Sequence, residues 1–109
     1  MRSLTESEWK IFRKLQETAL ERYCERVLAE ARECVDKKKK TSHQRYLDLF
    51  KLLRDHDKNI ASAFNDPRRS DAYRQLMMLV SLKLLSTEEF GRFSEETRTS
   101  IEQFIQTMS

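Results

Sequence analysis

One stretch, AYRQLMMLVSLKLL over Ala72–Leu85, dictates what the rest of this chain must do, because wound as a helix it points apolar side chains in every direction. At about 100° per residue, Tyr73, Leu76, Met77, Val80 and Leu84 form one broad face, and Met78, Leu82 and Leu85 form a second on the opposite side. A helix that is apolar all round has to be covered by other elements. The stretch is far shorter than the ~20 apolar residues that span a bilayer, and Arg74, Gln75, Ser81 and Lys83 interrupt it, so the cover is protein and not lipid.

The covering elements must themselves be helical. One Gly and one Pro in 109 residues leave almost no material for tight turns or hairpins. Leu, Glu, Lys, Arg and Gln, all good helix formers, are abundant. The expected fold is all-α: a four to five-helix bundle in a single domain, 1–109, with a long N-terminal helix and a buried central helix at about 72–85.

Helix starts are written clearly. Thr5 followed by Glu8 is a capping box, with Leu4 and Trp9 placed as a hydrophobic staple, so a first helix begins at Glu6. Nothing stops it before Asp36-Lys37-Lys38-Lys39-Lys40, which gives it ~45 Å at ~1.5 Å per residue. A compact domain of this length has a diameter of about 35 Å. The first helix is therefore longer than the body it packs on, and its apolar stripe drifts from Ile11, Phe12, Leu15 and Ala19 to Cys24, Leu28, Ala31 and Val35. It either bends to meet two partners or sends one end to another subunit.

Thr41 and Gln44 open a second helix from about Ser42 to Phe64, whose stripe is Tyr46, Phe50, Leu53, Asp57, Ile60 and Phe64, with a kink allowed at Asp57. Asn65-Asp66-Pro67 ends it, with Asp66 as N-cap and Pro67 as first residue of the central helix. Ser86 and Glu89 box a short helix ending at Gly91. Ser94 caps a last one with the narrow stripe Ile101, Phe104, Ile105, Met108.

Most chemistries lack their residues. Phosphate loops need several glycines, and the chain has only Gly91. Cys24 and Cys34, ten positions apart on one helix, stand ~15 Å apart and cannot bridge; they read as reduced core thiols, not as nucleophiles served by His43 or His56. Neither His has a Glu three residues before it, and Asp55-His56-Asp57 reads as a solvated polar stretch. No enzyme activity, cofactor, metal or small-molecule substrate is expected. Arg2 is followed at once by polar residues with no apolar run of about 7–15, so export is not indicated and a cytoplasmic setting is expected.

Two surfaces are left as candidates. Arg68-Arg69-Ser70 puts guanidiniums in the first helical turn, where the dipole disfavours cations; these residues form a candidate site for an anion or an acidic partner, or pair with the acidic C-terminal helices. Met78, Leu82 and Leu85, together with Cys24, Leu28 and Val35, are apolar surface beyond what one bundle face needs. The resulting expectation is a protein–protein interaction or regulatory module that binds a protein partner or itself as a homodimer. The alternative is a nucleic-acid-binding regulator using Lys37–Lys40, Arg45, Arg54, Arg68, Arg69 and Arg74. A helix-turn-helix after Ala72 is disfavoured, because either recognition helix would be acidic.

Overall fold

A computed structural model describes residues 3–65 and 68–108, and within them the protein is an all-α bundle of five helices. Helix α1 spans Glu6–Val35, as the cap and the lysine run dictate. Both arms of its capping box are made: the Glu8 N–H donates to Thr5 Oγ1 and the Thr5 N–H to Glu8 Oε1, each at 3.2 Å. Leu4 is buried beneath it, and Phe12, Leu15, Ala19, Tyr23 and Val27 form its core stripe at i, i+3, i+4 spacing.

Helix α2, Ser42–Phe64, returns antiparallel to α1 without interruption at Asp57. Of the expected box at its start, Thr41 Oγ1 accepts the Gln44 N–H at 3.1 Å. The register of this hairpin is fixed at intervals along its length. Gln16 Nε2 donates to the Ala63 carbonyl, Asn59 Nδ2 to the Tyr23 hydroxyl, and Cys34 Sγ to the Arg45 carbonyl.

The central helix, α3, is shorter than its sequence suggests, Ala72–Ser81 and not 72–85. The chain leaves it through a Schellman turn: the Leu84 N–H reaches the Leu79 carbonyl and the Lys83 N–H that of Val80, both at 3.0 Å. Lys83 sits at φ 57°, the left-handed position where glycine is usual, so no glycine announced the stop. Turning the chain there lets Leu84 enter the core while Leu85 packs against it. The expected caps of this helix, Asp66 and Pro67, lie outside the described residues. Arg69–Asp71 forms a single 3₁₀ turn ahead of α3, so Arg68 and Arg69 precede the helix and do not occupy its first turn.

Nor is α3 organised as two opposed faces. Its buried stripe is Ala72, Gln75, Leu76 and Leu79, which runs between the two expected faces. Tyr73, Met77 and Val80 on one flank and Met78, Leu82 and Leu85 on the other are all partly buried against the core. Helix α4, Thr87–Phe90, and helix α5, Glu95–Met108, close the body. Only Thr97 and Ile101 of α5 are buried; Phe104 and Met108, expected on its packed stripe, are exposed.

The molecule is elongated, 51 × 27 × 24 Å, with a radius of gyration of 16.6 Å against ~13 Å for a compact chain of this size. The length comes from α1 and α2. Helices α3 to α5 cover their body end, and the end that joins them, around Val35–Tyr46, projects as a two-helix hairpin.

Candidate interaction surface

The projecting hairpin carries a surface that helix geometry sets unambiguously. The side of α2 that meets α1 is Leu49, Leu52, His56, Ile60 and Ala63, all at least partly buried. The stripe expected to be its core face is rotated about 100° from this, at ~100° per residue. Tyr46, Phe50 and Leu53 accordingly stand 62%, 56% and 44% exposed. Only the body end of that stripe, Ile60 and Phe64, is covered. On α1 the side meeting α2 is Tyr23, Val27, Glu30 and Cys34, and Leu28, Ala31 and Val35 are rotated from it by a similar angle. Leu28 is 54% exposed and Val35 46%.

Because the helices are antiparallel, these two rotations carry both stripes to the same side of the hairpin. The bonds to α3 leave from the other side. Arg22 and Arg26 of α1 donate to the carbonyls of Leu82, Lys83 and Leu84, and Ser62 of α2 donates to Met78 Sδ. The observed register sets Leu28 level with Leu53, Ala31 with Phe50 and Val35 with Tyr46. The result is one continuous apolar face, three rows deep, that no other helix covers among the described residues, with the Arg54 guanidinium lying over the Phe50 ring.

A polar clamp cross-links the two helices of the hairpin behind this face. His56 Nδ1 meets the Tyr23 hydroxyl at 2.6 Å and its Nε2 meets Glu30 at 2.5 Å, while Asn59 Nδ2 donates to the Tyr23 oxygen at 3.0 Å. A carboxylate can only accept, so Nε2–H donates to Glu30. His56 is therefore a cross-link between α1 and α2 and not part of a solvated stretch. The order Glu30–His56–Tyr23 resembles an acid–base–hydroxyl relay, but Tyr23 is 4% exposed and its hydroxyl is already bonded to both His56 and Asn59. Sequence spacing gave no sign of this clamp, because its members come from separate helices.

At the body end, a second junction ties three elements together. Arg22 donates in bidentate fashion to Glu89, 2.6 and 3.0 Å, and also to the Leu84 carbonyl at 2.8 Å. Its guanidinium, aided by the Ser86 N–H, lowers the Glu89 carboxyl to a pKa of about 2. Glu8, the other boxed glutamate, reaches across to the Ser94 N–H at 3.0 Å, ahead of α5. Burial alone would raise its pKa, but the Ser94 and Thr5 N–H groups outweigh that and hold it below the ordinary value.

The sequence-predicted site residues are scattered. Arg69 is exposed just before α3, and Lys37–Lys40 lie at the hairpin tip, separated from it by α2, ~34 Å at ~1.5 Å per residue. Lys40 pairs with Asp48, Arg45 donates to the Val35 carbonyl and Ser42, Arg74 to the Ser62 carbonyl, and Arg54 stacks over Phe50. These cations do not share a face. Among the apolar candidates, Met78, Leu82 and Leu85 are partly buried against the core and Cys24 is half-buried; of the six, Leu28 and Val35 belong to the open face of the hairpin.

A smaller apolar groove of ≈ 340 Å³ lies between α3 and α5, lined by Met77, Met78, Phe104, Ile105 and Met108. Among the described residues, no three His, Cys, Asp or Glu side chains cluster as metal ligands would, and no helix is long and apolar enough to cross a membrane. Compared with known proteins, the chain matches no family model, no curated protein and no solved structure, so the surface is read from its geometry alone.

Proposed function

We propose that this protein is a non-enzymatic helical interaction module whose working surface is the outward face of the α1–α2 hairpin. The observation that carries this is the exposure of Tyr46, Phe50, Leu53, Leu28 and Val35 on one side of an internally bonded hairpin. Contiguous apolar surface of this kind is costly to leave in water, and it marks contact sites for other protein surfaces. Aromatic anchors within it suit an interface centre.

A photo-reactive amino acid at position 50 tests the reading. It yields a discrete adduct with a protein, whereas the same group at position 55, on the opposite side of α2, does not. Equal labelling from both positions, or none from position 50 in cells or in purified protein, overturns it.

A further inference from the structure

We infer that the partner of the hairpin face is a second copy of this chain, docked face to face so that α1 of each copy lies over α2 of the other and the four helices form a bundle. This rests on the interaction-module reading and goes further by naming the occupant and its orientation.

The first argument is shape. An antiparallel hairpin with apolar stripes on one side of both helices is half of a four-helix bundle. Its rows are unequal in size: α1 offers Leu28, Ala31 and Val35, and α2 offers Leu53, Phe50 and Tyr46 at the same levels. A two-fold axis running along the hairpin keeps each residue at its level and exchanges the helices, so Ala31 faces Phe50 and Val35 faces Tyr46 of the other copy. Small then packs on large. With the axis across the hairpin, α1 would stack on α1 and leave the Ala31 row underfilled.

Charge is the second argument. The outer flank of α1 carries Glu21, Glu25 and Asp36 against Arg32 and is net negative, whereas that of α2 carries Lys51, Arg54 and Lys58 against Asp55, 3.9 Å from Arg54, and Asp57 at the edge of the stripe, and is net positive. The axis along the hairpin brings these flanks together with opposite signs, and Glu25 falls within a turn of Arg54 and Lys58 of the other copy. Stacking α1 on α1 would set acid against acid. The face exposes on the order of 500 Å² per copy, hence at most about 1,000 Å² for the pair from these residues, the lower bound for a biological interface, to which the charged flanks add.

The test uses the full chain and two doubly reversed variants, E21K/E25K and R54E/K58E, with sedimentation equilibrium over micromolar to submillimolar concentration. The wild type is expected to form a dimer. Each variant alone then sets flanks of like net charge against each other and dissociates about tenfold more readily, and an equimolar mixture of the two regains dimer affinity. F50E abolishes the dimer while circular dichroism confirms the helices.

A wild-type monomer throughout the range overturns the proposal, and so does a dimer that survives F50E. A dimer indifferent to both reversals overturns the orientation. An adduct at position 50 of a mass other than twice the chain overturns self-pairing yet leaves the interaction-module reading standing.

Discussion

Replacing Glu89 by Gln keeps the size of the side chain and removes the charge that Arg22 grips. The magnitude follows from the carboxyl's fall from 4.5 to about 2 on folding. At ~1.36 kcal/mol per unit this corresponds to about 3 kcal/mol as an upper bound. The Arg22 side chain is 39% exposed, however, so water takes back part of the gain. The expected loss at pH 7 is about 1–2 kcal/mol once that screening is allowed for. In melting temperature this is a drop of about 5–10 °C for a domain of this size.

The sign of the pH dependence is fixed by the depressed folded value. Stability from this carboxylate is fully present above pH 4.5 and is lost as pH falls toward about 2, where both states are protonated. Urea denaturation of wild type and E89Q from pH 7 to pH 2 isolates the contribution, because the other carboxylates are common to both proteins. The gap narrows through that window and closes near its acid end. A gap of the same size at pH 7 and pH 2.5 would refute the assignment of the junction to charge.

Three other perturbations probe different parts of the fold. Tyr23→Phe strips the hydroxyl shared by His56 and Asn59; a cost of about 1–3 kcal/mol in chemical denaturation is expected from the groups left unpaired, and a neutral result would mean that the clamp does not order the hairpin. Lys83→Gly relieves the left-handed backbone at the end of α3, so the unfolding free energy from urea denaturation rises by about 0.5–1 kcal/mol, and a fall would refute the left-handed turn. Leu79→Ala, at a side chain with 0% exposure, costs about 2–5 kcal/mol, whereas a loss under 1 kcal/mol would place α3 away from the core.

Local chemistry written in neighbouring residues was legible without coordinates. Thr5 with Glu8, Ser86 with Glu89, and the lysine run after Val35 set the starts of α1 and α4 and the end of α1, because a cap involves groups only a few residues apart. Composition was sufficient for the all-helical class, since a chain with one Gly and one Pro has few ways to turn. Periodicity also located α2 in full.

Rotation is what the sequence could not decide. Leu49, Leu52 and Ile60 on one side of α2 and Tyr46, Phe50 and Leu53 on another are both apolar stripes, and nothing local says which meets α1. That choice was made by Gln16 with Ala63, Tyr23 with His56 and Asn59, and Cys34 with Arg45, pairs far apart in the chain whose bonds fix the helix rotations together. The end of α3 was hidden for the same reason: its turn at Lys83 has no glycine, and the carbonyls it frees are capped by Arg22 and Arg26 of a distant helix. A residue's neighbours in sequence determine whether it is helical. Which way its side chain points depends on contacts whose energies exist only once the helices have met.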